Sequence, residues 1–324
     1  MSIPEYIELE GGYRMPRIGF GTWQASSEVL EQAVDAALEA GYRHFDTARA
    51  YENELALGSA LNRWIGGNPE KRKELFVVTK LPPGGNKPEL VQEYFNSSFE
   101  DLNLQYLDMY LLHTPFAFEH VPGDLHPKNP DGSAKMDHTT DLLALWKAVL
   151  KLKESGRVRL VGVSNLNVEQ LERVCSVEKP ACLQIENHIL CQQPGLVAAA
   201  NKLGVPIVAY SPLGSKALAD AKAAQTGLKY PDLLQLAEVQ RIAQLHGRTP
   251  AQVLLRYSLQ RGLAAIPKSI NPIRIKQNIS VYDFCLSESE MNELATLDRG
   301  ENGRVCDFTF FVGADKHPEF PFKK

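Results

Sequence analysis

The sequence predicts an α/β chain folded as a closed (β/α)8 TIM barrel. It reads as a single domain over residues 1–324, with an N-terminal β-hairpin and long loops on the C-terminal face. Three observations predict this. Eight short apolar, β-rich runs recur along the chain, with helical patterns between them. Several of these runs do not alternate, as suits strands covered on both faces. No low-complexity stretch or Gly/Ser linker divides the 324 residues. On pattern alone, a doubly wound open sheet competes with the barrel.

Residues 1–14 read as a hairpin turning at Glu10-Gly11-Gly12-Tyr13. The strands are read at Ile18–Gly21, His44–Asp46, Leu75–Thr79, Leu107–Leu112, Arg159–Val163, Ala181–Ile185, Pro206–Tyr210 and Leu263–Ile266. Apolar residues at 29, 30, 33, 34, 37 and 38 form a helical stripe, and Gly41 is placed to cap it. Leu142–Leu152 and Leu233–Leu245 share that periodicity. Thr249-Pro250 before Ala251–Leu255 reads as an N-cap followed by Pro at the first helical position. Residues 116–140, 214–231 and the tail 298–324 exceed ordinary loop length. In a barrel, the loops that follow strands lie on the face that carries chemistry.

Composition excludes several classes. With 44% hydrophobic and 23% charged residues, the chain is neither disordered nor collagen-like. There are 35 Lys and Arg against 39 Asp and Glu, a formal charge of −4, which argues against a nucleic-acid partner. No apolar run approaches the roughly 18 residues of a membrane span. Met1-Ser2-Ile3-Pro4-Glu5 lacks the basic and apolar regions of a secretory signal. Five cysteines without a C-x-x-C read as free thiols, so a cytoplasmic location is expected. The eight histidines show no H-x-H or H-E-x-x-H spacing, so no metal is expected.

Polar residues collect where strands run out. Asp46 ends the second strand, with Tyr51 five residues on; Lys80 closes the third and His113 the fourth. In a parallel barrel these strand ends are neighbours, so the four side chains can share one rim. A tyrosine with an ordinary pKa near 10 is a poor acid at neutral pH, and a nearby ammonium lowers that value. Asp46 would hold Lys80 charged, and His113 could donate to a carbonyl oxygen. Such a group protonates a carbonyl but still needs a hydride source. Each residue alone has a plainer reading: a solvated Lys, a structural His, an Asp that caps a helix.

The run Asp46-Thr-Ala-Arg-Ala-Tyr51-Glu-Asn-Glu54 resembles the D-T-A-x-x-Y-x-N-E signature of the aldo-keto reductases. So does the order of Gly19-Phe-Gly21-Thr22-Trp23, Thr79-Lys80, Leu112-His113, Gly162-Val-Ser164-Asn165, Gln184-Ile-Glu186, Ala209 through Ser215, and Ile266-Pro-Lys268-Ser269 through Arg274 to Asn278. The resemblance spans roughly residues 8–280. It implies a monomeric barrel that reduces aldehydes and ketones with NADPH, Tyr51 acting as general acid, Lys80 and Asp46 as its tuners, and His113 orienting the substrate.

A Rossmann site is disfavoured, because Gln24 stands where a third glycine would follow Gly19-x-Gly21. The resemblance implies another way to hold NADPH/NADP+. Gly21, Thr22 and Trp23 lie beside it. Ser164, Asn165 and Gln184 suit a nicotinamide carboxamide, Tyr210 stacks on the ring, and Ser211, Leu213 and Ser215 approach the pyrophosphate. Lys268, Ser269 and Arg274, at a helix start, suit the 2′-phosphate, with Gln277 and Asn278 toward the adenine. A solvated basic turn is the plainer reading of that last cluster.

Some positions depart from the family. Glu often stands where this chain has Gln277, and Ala217 replaces an acid found two residues after the equivalent of Ser215. Thr114 follows the catalytic His in place of an aromatic, so a smaller, more polar pocket wall is expected. Ile189 replaces a proline, so the backbone past strand six is expected to run differently. Trp23, Tyr51, His113 and Thr114 are the expected substrate contacts. The aromatic tail, Phe308–Phe311 and His317–Phe322, either folds over the pocket mouth or packs on the barrel wall. The His317-Pro-Glu-Phe-Pro-Phe322 ending resembles arthropod members. A steroid-like (ecdysteroid) ketone or a sugar aldehyde is therefore an alternative substrate class. A cofactor-sensing partner subunit is the non-enzyme alternative.

Overall fold

The computed structural model describes residues 3–227 and 229–322. The outermost residues of the expected hairpin, tail and 1–324 domain lie outside these limits. In chain order the elements are β1 (Tyr6–Glu8), β2 (Arg14–Pro16), β3 (Phe20–Gly21), α1 (Ser27–Ala40), β4 (His44–Asp46), α2 (Glu54–Ile65), α3 (Pro69–Glu74), β5 (Phe76–Leu81), α4 (Val91–Leu102), β6 (Leu107–Leu112), β7 (Ala117–Phe118) and β8 (Met136–Asp137). There follow α5 (Leu142–Lys151), β9 (Val158–Ser164), α6 (Val168–Cys175), β10 (Leu183–Glu186), α7 (Pro194–Leu203), β11 (Ile207–Tyr210), α8 (Lys216–Thr226), α9 (Ala237–His246), α10 (Pro250–Gln260), β12 (Ala264–Ala265), α11 (Pro272–Ile279) and α12 (Glu288–Ala295).

Eight parallel strands run in the order β3-β4-β5-β6-β9-β10-β11-β12. The seam closes through a parallel bridge from Ile18 to Ala265, with Gly19 N donating to Ala265 O at 2.9 Å. The chain is therefore a closed barrel rather than an open sheet. Two glycines permit that closure. A Cβ at Gly19 would lie 2.7 Å from the His44 ring, and one at Gly21 would lie 2.9 Å from Ile266 O. Both contacts are closer than packed atoms tolerate, so these glycines answer to strand packing.

The core has two layers. Met109, Leu111, Val208 and Ala264 fill the barrel interior, and Ile7, Leu9 and Met15 of the β1–β2 hairpin close its floor. Leu30, Val34, Leu57, Trp146 and Leu171 pack the helices onto its outside. Strands buried on both faces explain the unalternated runs: every residue of β5 and β6 is buried. α9 and α12 stand outside the eightfold repeat and share a satellite core with α10 through Val239, Ile242, Val253 and Leu294.

Caps set most helix ends. Gly41 closes α1 with φ 101°, and Thr249 and Gln252 form a capping box at α10, with Pro250 at the first position. Three readings need correction. Leu233–Leu245 is not one helix: a short 3-10 turn at Leu233–Gln235 ends at Leu236, whose extended backbone starts α9. The 214–231 connection is not an open loop, since it carries α8. Lys80 does not close its strand; β5 continues through Leu81. Among the described residues no helix is long and apolar enough to cross a membrane.

Candidate active site

The strand register brings the tetrad together. Asp46 ends β4 opposite Val78 of β5, and Lys80 pairs with Leu111 of β6, one strand along. His113 lies one residue beyond β6. Tyr51 ends a single 3-10 turn, Arg49–Tyr51, that follows β4. Asp46 and Lys80 are buried, 2% and 0% exposed, whereas Tyr51 and His113 keep an open surface. Two charged groups therefore lie beneath two groups that a ligand can reach.

The Lys80 ammonium has three protons and three acceptors. It donates to Asp46 Oδ1 at 2.5 Å, to Thr47 O at 2.7 Å and to the Tyr51 hydroxyl at 3.4 Å. The other Asp46 oxygen accepts from Gln184 Nε2 at 2.7 Å. Burial pulls the Lys80 ammonium down, but Asp46 and Tyr51 more than offset this, and its pKa is raised. The expected lowering of Tyr51 is corrected. Burial pushes its phenol up, Lys80 pulls against that, and the net direction is upward. Burial and then Lys80 hold His113 well below its ordinary value, so its imidazole is neutral. The His113 and Tyr51 rings meet edge to face, with centroids 5.7 Å apart.

Residues after β9, β10 and β11 form a second group. Tyr210 donates from its hydroxyl to Asn165 Oδ1 at 2.8 Å; Asn165 Nδ2 donates to His113 O at 2.9 Å and to Ser164 Oγ at 3.0 Å. The Ser164 hydroxyl itself donates to Gln184 O at 2.8 Å. The chain thus satisfies Ser164, Asn165 and the Gln184 amide nitrogen internally, and the partly open Tyr210 is the most accessible member of the group. Asn165 and Ser211 hold φ of 60° and 49°. For side chains other than glycine this left-handed backbone is strained, and such strain gathers at functional sites.

Other expected contacts change on inspection. Thr22 is fully buried and its hydroxyl donates to Asp46 O, which leaves the partly open Trp23 as the exposed member of that run. Thr114 is buried, and its hydroxyl donates to Phe116 O at 2.9 Å. It therefore gives the pocket no polar wall. The α11 N-terminus is not a bare set of amides, since Asn271 Oδ1 accepts from Ile273 N and Arg274 N. The Ser269 hydroxyl accepts from Asn271 N. Past β10, His188 and Cys191 close a tight turn of mutual backbone bonds, with Ile189 buried inside it.

Two polar residues of the site escaped sequence reasoning. Asn53 is buried; its amide donates to Thr22 O and Ala25 O at 3.0 and 3.2 Å, and its oxygen accepts from the Thr47 hydroxyl. It joins the Trp23 loop to the Tyr51 turn. Glu54 is buried beneath that turn, accepting from the Thr79 hydroxyl at 2.5 Å and pairing with Arg49 at 3.3 Å. Both lie in the Asp46–Glu54 run, which is the signal that could have found them.

The tail packs onto the site. Phe308, Phe320 and Cys306 join Phe116 and Phe118 in one cluster, with Tyr210 and Phe311 at its edge. The buried Glu186 carboxylate accepts from Val305 N and Cys306 N, both at 2.9 Å, and fixes the tail's root.

A nicotinamide nucleotide can be tested against these residues. Lys268 and Arg274 form no ion pair among the described residues, and burial and then Arg274 depress the Lys268 pKa. Two unpaired cations in mutual repulsion fit a bound phosphate. Residues 17–299 match the model of the aldo/keto reductase family. The chain belongs to the aldo-keto reductase family. It is an oxidoreductase that reduces carbonyls to alcohols with a nicotinamide cofactor. It is 42% identical over 328 residues to aldo-keto reductase family 1 member A1 of Mus musculus, covering 98% of this chain and 97% of the relative. It is 40% identical over 303 residues to the NAD(P)H-dependent D-xylose reductase I,II of Candida tropicalis, covering 91% and 92%. Its fold matches the structure of the aldose reductase from Schistosoma japonicum with a TM-score of 0.88 at 37% identity, over 99% of both chains.

Proposed function

We propose that this reductase is specific for NADPH and that Tyr51 delivers the proton in carbonyl reduction. The observation that carries the second half is the direction of one hydrogen bond. Lys80 donates to the Tyr51 oxygen, so the phenol must aim its own proton elsewhere, toward the open face. Its raised pKa keeps that proton in place at neutral pH. As the proton leaves, the ammonium 3.4 Å away stabilises the phenolate, and Asp46 holds that ammonium charged. His113 Nδ1 is buried without a partner. In a neutral ring this leaves the N–H on Nε2, which orients the carbonyl oxygen beside Tyr51.

The bound nucleotide supplies a hydride to the carbonyl carbon. Asn165 and Tyr210 would hold its carboxamide and ring, once their mutual hydrogen bond opens. Ser211, Leu213 and Ser215 would line the pyrophosphate. Lys268 and Arg274 would take the 2′-phosphate, with Gln277 and Asn278 beyond. That neither cation has an ion-pair partner among the described residues supports NADPH over NADH. Trp23 and the aromatic cluster of the tail support aldehydes and ketones of apolar or mixed character. The names of the relatives add sugar aldehydes to that range. We take the protein to be one domain, a monomer and cytoplasmic.

The test is a fluorescence titration with NADPH and NADH, followed by a carbonyl panel read at the nicotinamide absorbance band. Tight NADPH binding with turnover is expected. Equal affinity for both nucleotides would overturn the cofactor preference, and Tyr51→Phe retaining turnover would remove Tyr51 as the acid.

A further inference from the structure

The connection after β11 carries Ser211, Leu213 and Ser215 and then rises into α8, which buries none of its residues. A helix without an apolar face against the barrel is not held by burial. Something else must fix it, and the contacts lead to the tail. Lys222 Nζ donates to Arg304 O at 2.5 Å and pairs with Asp307 at 2.9 Å. These side chains are only 13% and 21% exposed, so the pair is shielded from solvent. Thr309 Oγ1 donates to Gln225 Oε1 at 3.3 Å, and Leu218 packs beside the cluster of Phe116, Phe308 and Phe320. The tail is tied in turn to the barrel through Glu186 and, further on, through a paired Arg173 and Glu319 at 2.8 Å.

We infer that Lys222 is a positioning residue: its grip on Arg304 and Asp307 makes α8 and the tail a single cover, so the loop beside the nucleotide and the wall of the substrate pocket open together. This rests on the reading of Ser211, Leu213 and Ser215 as nucleotide contacts. Two consequences follow. Nucleotide release requires the tail to yield, so release slows when the latch is intact. A change that loosens the latch also loosens the aromatic wall, so recognition of a bulky carbonyl weakens along with nucleotide retention. Hydride transfer itself is untouched, because Lys222 is distant in role from the Asp46–Lys80–Tyr51 chain.

The experiment compares wild type with Lys222→Ala, Lys222→Arg, Asp307→Asn and the double variant Lys222→Ala/Asp307→Asn. NADPH release is followed by stopped-flow fluorescence, KM is measured for a small and a bulky aromatic aldehyde, and hydride transfer is followed in a single turnover. Lys222→Ala is expected to speed release about tenfold, in line with loss of a shielded charge pair, and Asp307→Asn roughly threefold, since the bond to Arg304 O survives. Lys222→Arg should restore most of the wild-type rate. The double variant should release no faster than Lys222→Ala, because removing Lys222 already removes its pair with Asp307. KM for the bulky aldehyde should rise with release, while KM for the small one and the single-turnover rate stay within about twofold. Release unchanged in both single variants overturns the latch while wild-type nucleotide binding leaves the cofactor reading standing. Faster release with both KM values unchanged overturns the coupling to the tail. A wild-type protein that binds no nucleotide removes the cofactor reading, and the latch falls with it.

Discussion

At the scale of single residues, burial and charge work against each other, and the magnitudes decide which wins. Lys80 pulls the Tyr51 phenol toward ionisation, yet burial outweighs it and the pKa rises. The sequence shows the ammonium but not the depth at which the phenol lies, so its direction was misread. A raised value means Tyr51 stays protonated through neutral pH, and its reduction rate should stay flat across the neutral range; a fall with a midpoint near neutrality in a pH–rate profile would contradict this. Tyr51→Phe should lower kcat by about 10²–10⁴-fold with NADPH affinity nearly intact, as measured by steady-state kinetics beside a nucleotide titration. His113 makes a separate prediction. Its folded pKa lies well below the ordinary 6.5, so below pH 6.5 the unfolded chain takes up a proton that the folded protein refuses. Stability from this group is therefore present above pH 6.5 and lost as pH falls toward the folded value, by about 1.4 kcal/mol per pH unit. Urea unfolding between pH 7.5 and 5.5 should show a shallower decline in His113→Asn than in wild type. Parallel slopes would mean the imidazole is not held neutral by the fold.

At the scale of elements, what could be read from the sequence was what carried a periodicity or a cap. The strands buried on both faces, the stripe of α1 and the Thr249-Pro250 start of α10 all announce themselves. α8 did not show an apolar stripe, because it buries nothing; its signals are its alanine content and the caps at Ser215 and Gly227. Leu236 was hidden for the opposite reason, since the leucines on either side of it keep helical spacing across a real break. The tetrad was legible because its members can do chemistry. Asn53 was not, because its work is to join two backbones. Its amide holds Thr22 O and Ala25 O, and its oxygen takes the Thr47 hydroxyl, so the Trp23 loop and the Tyr51 turn are held by one side chain. Asn53→Ala strands these groups in a buried site and should cost about 2 kcal/mol of stability. It should also lower kcat more than a remote core change of equal destabilisation does. Chemical denaturation and kinetics on the same samples separate the two effects. A kcat loss no larger than that control's would leave Asn53 with a purely structural role.

At the scale of the whole molecule, the barrel leaves its chemistry on one face and its recognition on segments added to that face. The tail, the β7–β8 excursion and α8 meet around Tyr210 and Phe308, while Lys268 and Arg274 lie just beyond the β12 edge of the seam. A nucleotide spanning these places would tie the loop after β11 to the turn after β12, and so stabilise the folded state as a unit. Binding to the folded form alone should add about 2.7 kcal/mol at a hundredfold excess over Kd, which raises the melting temperature measurably. NADPH should raise it more than NADH, because only the 2′-phosphate meets the unpaired cations at Lys268 and Arg274. Arg274→Ala removes one of those cations and relieves the repulsion on the other. NADPH affinity should fall by about 10–100-fold, as expected for a lost charge-assisted contact, while NADH affinity changes little. Melting curves of both proteins with each nucleotide test this together. The NADPH advantage should shrink sharply in the variant; an equal loss for both nucleotides would place the 2′-phosphate somewhere other than this turn, and would leave the two facing cations in need of another anion.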